Sequence, residues 1–164
     1  MINDKIMKRA LFLSVSFVFF VFLLAGCGNC NSNQKKKDTL EIRALVDRYA
    51  VESDRYNQEA YREIFAEDLN LRIIFGENVS EIHGVEEMVK IYKAAGAAPV
   101  SFHQVGQQLV EFIDATHAKG TTYLTALLGN EQVAQMFIRY EDQFEKIDGR
   151  WWITDRDQII VHSK

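Results

Sequence analysis

The run Gln132-Val-Ala-Gln-Met-Phe-Ile-Arg-Tyr-Glu-Asp-Gln-Phe-Glu-Lys146, the tetrapeptide Ile147-Asp-Gly-Arg150 and the run Trp151-Trp-Ile-Thr-Asp-Arg-Asp-Gln-Ile-Ile-Val161 decide the fold. In the first, Ala134, Met136, Ile138, Tyr140 and Phe144 fall on even positions. That period of two places them on one face of a β-strand. Asp148-Gly149 follows at once and allows the positive φ angles of a tight hairpin turn, after which a second β-rich run begins. The two strands exceed the usual length of about 5–6 residues, so they are expected to form the bent centre of a sheet with helices packed against it.

Working outward, the 164 residues are 48% hydrophobic and 26% charged with one proline, enough for one core and unlike a disordered chain. The formal charge is −4. Residues 1–26 carry Asp4, Lys5, Lys8 and Arg9, so the remainder is more acidic still. No basic face for a phosphate backbone is visible, which argues against nucleic acid as a partner.

Lys5, Lys8 and Arg9 precede the apolar run Ala10–Leu24. This is the charged start and short apolar core of a secretory signal, and it is short for a membrane-spanning helix. Leu24-Ala25-Gly26-Cys27 resembles the lipobox of bacterial lipoproteins. The resemblance implies a signal peptide over residues 1–26, cleavage before Cys27 and lipid attachment to that cysteine, giving an envelope protein held to a membrane outside the cytoplasm. Cys27-Gly-Asn-Cys30 also has the spacing of a redox or metal motif, but no further cysteine completes a metal site. With Cys27 lipidated, Cys30 is left as a free thiol. Residues 27–37 are polar, end in three lysines and read as a flexible tether before a domain at 38–164.

Within that domain, Asp38 and Glu41 read as a capping box, and Ile42, Leu45, Val46, Tyr49 and Ser53 keep helical spacing over 39–54. Asn57 can cap a short second helix with Tyr61, Ile64 and Phe65 on one side, ending near Glu67-Asp68. Strands at 69–75 and 79–83 flank Gly76-Glu-Asn78. Gly84 then opens a third helix with the stripe Val85, Met88, Ile91, Tyr92 and Ala95, stopped by Gly96 and Pro99. Strands follow at about 100–113 and 117–128. The sum is an α+β domain whose curved sheet and helices enclose a pocket, a common place for a small-molecule site.

These elements resemble the SnoaL-like group of the NTF2-like superfamily. The resemblance rests on Ala50-Val-Glu-Ser-Asp54, Ile64-Phe-Ala-Glu-Asp68, Ile82-His-Gly84, Phe102-His103, Arg139-Tyr-Glu-Asp142 and Asp148-Gly-Arg-Trp151. It implies a cone of about six strands, mixed or antiparallel, with three helices on the concave side. This fold hosts dehydratases, isomerases, dehydrochlorinases, hydrolases and non-catalytic binding modules. Eliminating enzymes of the group use a histidine on the first long strand as base and an aspartate near the end of helix one to hold it; the matching positions are His103 and Asp54. The strand that carries a second histidine in scytalone dehydratase reads Tyr123-Leu-Thr-Ala-Leu-Leu128, a departure that argues against the same dehydration.

An imidazole can take a proton from carbon beside a carbonyl while a carboxylate fixes its tautomer. A phenol from Tyr49, Tyr61 or Tyr140 can then bond to the developing enolate. Such chemistry needs no cofactor and no metal, and no histidine and carboxylate spacing here suggests a metal site. The alternatives at each residue are structural. His103 can make a structural strand bond, Asp54 can be a turn carboxylate paired with Arg55, and Tyr140 can be core. Asp142 either reaches the pocket from the concave face or, on the convex face, meets solvent or Arg156. Trp151 and Trp152 point to opposite faces, while His83 and His117 read as surface residues. The expected partner is a small hydrophobic molecule. A homodimer through the open sheet face is expected too, and the rival reading is a non-catalytic ligand-binding or interaction module.

Overall fold

The computed structural model describes residues 32–164. The expected signal peptide, Cys27 and Cys30 fall outside the described residues. Two compact units divide between Asp38 and Thr39. In the first, residues 32–38 are helical where a flexible tether was expected. Gln and Lys are good helix formers, and the Gln34 amide donates to Asp38 Oδ1 at 3.0 Å across one helical turn. Asp38 is therefore not the cap of a helix beginning at 39. Among the described residues no helix is long and apolar enough to cross a membrane.

In the second unit, residues 39–54 form helix α1. Its stripe Ile42, Leu45, Val46 and Tyr49 is buried, as a spacing of three and four residues requires. A 3₁₀ helix, η1, covers Gln58–Glu63. It is shorter than the expected second helix. Asn57 stands at its start, but its side-chain oxygen makes no cap hydrogen bond and its Nδ2 donates to Glu52 Oε2 at 2.7 Å. Strand β1 takes over at once as Phe65–Phe75, so Phe65, expected on a helix, belongs to the sheet. Strand β2 is Asn78–His83 and helix α2 is Val85–Ala95. On α2 the buried positions are Val85, Met88 and Val89, whereas Ile91 is 41% exposed and leaves the stripe. Strands β3 (Val100–Phe112), β4 (His117–Gly129), β5 (Val133–Ile147) and β6 (Arg150–Ser163) complete the chain.

The six strands form one sheet in the order β2-β1-β6-β5-β4-β3. Neighbours are antiparallel except β1 and β6, which run parallel, so the sheet is mixed. The β5–β6 turn has positive φ at both Asp148 and Gly149, as a two-residue hairpin needs. On β5 the even residues Ile138, Tyr140, Asp142 and Phe144 are all buried. On β6 the inward side begins at odd positions, Trp151 and Ile153, and then changes. The register shifts between Gln143 and Phe144, leaving Thr154 without a partner on β5. An unmatched residue of this kind turns every later side chain over. Arg156 is thereby buried opposite Asp142, and Gln158 faces the helices opposite Tyr140, while Asp155 and Asp157 look outward. The domain is thus an α+β fold with a curved six-stranded sheet and three helices, an NTF2-like cone.

Candidate functional site

Helix α1 ends beside β3, and the way it ends sets the site. The Asn57 N–H donates to Glu52 O at 2.9 Å and the Tyr56 N–H to Ser53 O at 3.1 Å. This is the paired closure of a Schellman motif, with Tyr56 in the left-handed conformation (φ 54°) where glycine is usual. The Tyr56 hydroxyl donates to Lys93 O at 2.8 Å, tying the end of α1 to the end of α2.

Asp54, in the last turn, meets β3 through both carboxylate oxygens. His103 Nδ1 lies 2.6 Å from Asp54 Oδ1, the His103 backbone N–H donates to Oδ2 at 2.9 Å, and Ser101 Oγ donates to Oδ1 at 3.0 Å. Residues 101 and 103 share a strand face, which is why one carboxylate can reach both. The His103 side chain is 9% exposed and that of Asp54 24%. Burial pushes the Asp54 carboxyl up, but the bonds from His103 and Ser101 outweigh it and hold the group below its ordinary value. An ionised Asp54 bonded to Nδ1 fixes the proton there and leaves Nε2 as an acceptor. Across from His103 on β4 stands Ala126, small enough to leave room for the ring. Arg55 pairs with Glu52 rather than with Asp54.

Both residues line a cavity of about 210 Å³ that opens to solvent and is walled by α1, η1, α2 and the sheet. Tyr49, Tyr61 and Tyr140 contribute to its wall, and so do Tyr56, Tyr92, Ser101 and Gln158, which sequence reasoning did not single out for the site. For Ser101 the signal was present as the second residue before His103 on the same strand. For Gln158 it was concealed by the bulge at Thr154. The Tyr61 hydroxyl shares a hydrogen bond with Ser53 Oγ at 2.9 Å. Burial raises the titration of Tyr61, Tyr92 and Tyr140 above the ordinary phenol value, so these hydroxyls stay protonated as neutral donors.

Asp142 does not line the cavity. Its two oxygens accept Arg156 Nε at 2.7 Å and Nη2 at 2.8 Å, and both residues are buried. The Arg156 guanidinium lies 3.9 Å from the Tyr140 ring centroid and 4.8 Å from that of Tyr49. The sequence offered Asp142 either the concave face or Arg156; the structure gives it both, and the arginine takes the carboxylate that was expected to meet ligand. Burial pushes the Asp142 carboxyl up while Arg156 opposes it, and Asp142 makes Arg156 hold its proton more tightly. Trp151 is core, whereas Trp152 stacks under Arg150 at 4.2 Å. His83 and His117 are exposed. Among the described residues no cluster of His, Cys, Asp and Glu could hold a metal ion.

A larger groove of about 720 Å³ includes Arg72, Glu81, Thr121, Glu141, Asp155 and Asp157. Its carboxylates are largely engaged, Asp157 by Arg72 and Glu141 by Thr121 and Arg139. The held imidazole and the phenols converge on the smaller cavity instead, which is therefore the better candidate.

A curved sheet closed by helices over a tyrosine-rich cavity, with a carboxylate-held histidine in its wall, defines an NTF2-like pocket protein. The match to the SnoaL-like domain over residues 34–157 makes the assignment specific: the chain belongs to that family. No curated protein matches the sequence. Among solved structures, LinA aligns with TM-score 0.72 at 18% identity, covering 80% of this chain and 90% of that one. The hexachlorocyclohexane dehydrochlorinase LinA-type3 of Novosphingobium barchaimii LL02 aligns with TM-score 0.71 at 16% identity, covering 80% and 91%. A protein of unknown function with a cystatin-like fold from Nostoc punctiforme PCC 73102 aligns with TM-score 0.61 at 26% identity, covering 75% and 90%. The LinA likenesses are likenesses of fold.

Proposed function

We propose that this is an envelope-anchored SnoaL-like domain that holds a small, largely apolar molecule and abstracts a proton from it without a cofactor, in an elimination or isomerisation. The observation that carries the reading is the three-point hold of Asp54 on Ser101 and His103 at the cavity wall. A carboxylate serving only to tie α1 to β3 needs no imidazole. Here it bonds Nδ1 and leaves the opposite nitrogen as base. The protonated phenols around the cavity supply donors for the oxyanion that grows as the proton leaves. The dehydrochlorinase with the same fold performs an elimination by its printed name, which supports the reaction class.

Mass spectrometry of the molecule co-purifying with the intact chain identifies the substrate, and His103→Ala then decides its fate. The expected outcome is retained binding with turnover lowered about 10²–10⁴-fold, the usual worth of a general base. Turnover unchanged in the variant removes the role of His103, and binding without any turnover in the native chain favours the non-catalytic module. We also propose that Cys27 carries the lipid. Mass spectrometry of the chain extracted from membranes should show Cys27 as its first residue, carrying the added mass of lipid, and an unmodified chain that keeps residues 1–26 would leave the apolar run at 10–24 as the anchor.

A further inference from the structure

Gln158 is a polar residue of the cavity wall for which the chemistry above has no use. It stands on β6 between Ile73 of β1 and Tyr140 of β5. Next along the same face, Ile160 stands opposite Ile138. Its Oε1 is sealed from solvent and has no hydrogen-bond partner among the described residues. Such an orphan is rare in folded proteins and lowers stability, so an amide at this place calls for a partner that arrives from elsewhere. The side chain lines the cavity, and a half-turn of the amide, which exchanges its oxygen and nitrogen in place, brings the oxygen to a ligand there.

We infer that Gln158 determines specificity by recognising a hydroxyl group on the ligand. The amide is neutral, and the charged group in the cavity wall is the ionised Asp54, so an anionic ligand gains nothing here. A hydroxyl can donate to Oε1 or, after rotation of the amide, accept from its NH₂. The cavity of about 210 Å³ lies under the range of about 300–1,000 Å³ typical of drug-sized ligands. The ligand is accordingly a compact, mostly apolar molecule of about one ring with one hydroxyl. This inference rests on the reading of the cavity as a small-molecule site.

Phenol and toluene have the same shape and differ in a hydroxyl against a methyl, so they serve as probes. Their affinities for the intact chain are measured by isothermal titration, beside those of Gln158→Leu in the same medium. Partitioning of each probe into the medium cancels when the phenol-to-toluene ratio is compared between the two proteins. The expected result is a ratio about tenfold lower in Gln158→Leu, with a melting temperature equal to or above that of the native chain, because the orphaned oxygen is gone. An unchanged ratio while both probes bind overturns the role of Gln158 and leaves the cavity reading standing. A variant that melts lower and keeps the ratio makes Gln158 a packing residue. Failure of the native chain to bind either probe overturns the cavity reading and this inference with it.

Discussion

Asp54 accepts three hydrogen bonds from two residues of one strand, and its charge is what makes them strong. Because its carboxyl titrates below the ordinary value in the folded chain, the stability it contributes is full above the unfolded pKa of about 3.9. It is lost as the pH falls through the lower folded value. Asp54→Asn is expected to cost about 1–2 kcal/mol at neutral pH, a figure kept small because the side chain is partly exposed. Chemical unfolding from pH 7 down to pH 3 should show the gap between the two proteins narrowing below about pH 4. A gap of constant size would mean that the carboxylate charge does not hold this corner. The contact itself was only partly legible in the sequence. Helical geometry puts Asp54 at the margin of the buried stripe, and it was the family resemblance that joined it to His103. What settles the matter physically is the left-handed turn at Tyr56, a bulky residue where a reader of sequence looks for glycine.

The β5–β6 hairpin shows the same limit one level up. Its strands and turn follow from a period of two and from Asp148-Gly149, and the other four strands follow from turn signals between apolar runs, although β1 begins at Phe65 within the stretch expected to be helical. Alternation carried forward from Trp151 and Ile153, however, points Asp155 and Asp157 at the helices. The extra residue at Thr154 reverses this and brings Arg156 and Gln158 inside, a change that leaves no mark in composition. The consequence is a buried ion pair across the hairpin, stacked on Tyr140 and Tyr49. Removing one member strands the other: Asp142→Leu is expected to cost about 3–5 kcal/mol. Adding Arg156→Met should recover most of that loss, since a buried pair often does no better than apolar side chains of similar size. Urea unfolding of both single variants and the double variant measures the coupling. A loss under about 1 kcal/mol for Asp142→Leu would show the guanidinium finding water or another partner.

At the scale of the molecule, the sheet has a covered face and an open one. Phe102, Leu109, Tyr123 and Phe137 stand on the open face and are 51%, 65%, 46% and 40% exposed. Register keeps them there: Phe102 pairs with Leu127, Leu109 with Thr121, Tyr123 with Arg139 and Phe137 with Thr125, while Ala126, Thr122, Ile138 and Leu124 face the helices. Apolar side chains grouped on a sheet face mark an association surface more often than a solvated one. A second copy related by a two-fold axis would cover them with the same residues, a self-complementary contact that needs about 800 Å² from each chain. The expected state is a dimer in sedimentation equilibrium. Tyr123→Glu places a carboxylate among these aromatic and aliphatic groups and should give monomers. Because Tyr123 points away from the cavity, probe binding there should stay within about twofold, since sites with no shared partners act independently. A dimer that survives the substitution would move the interface to the free edge of β3, where unpaired backbone groups offer the other way for two sheets to join.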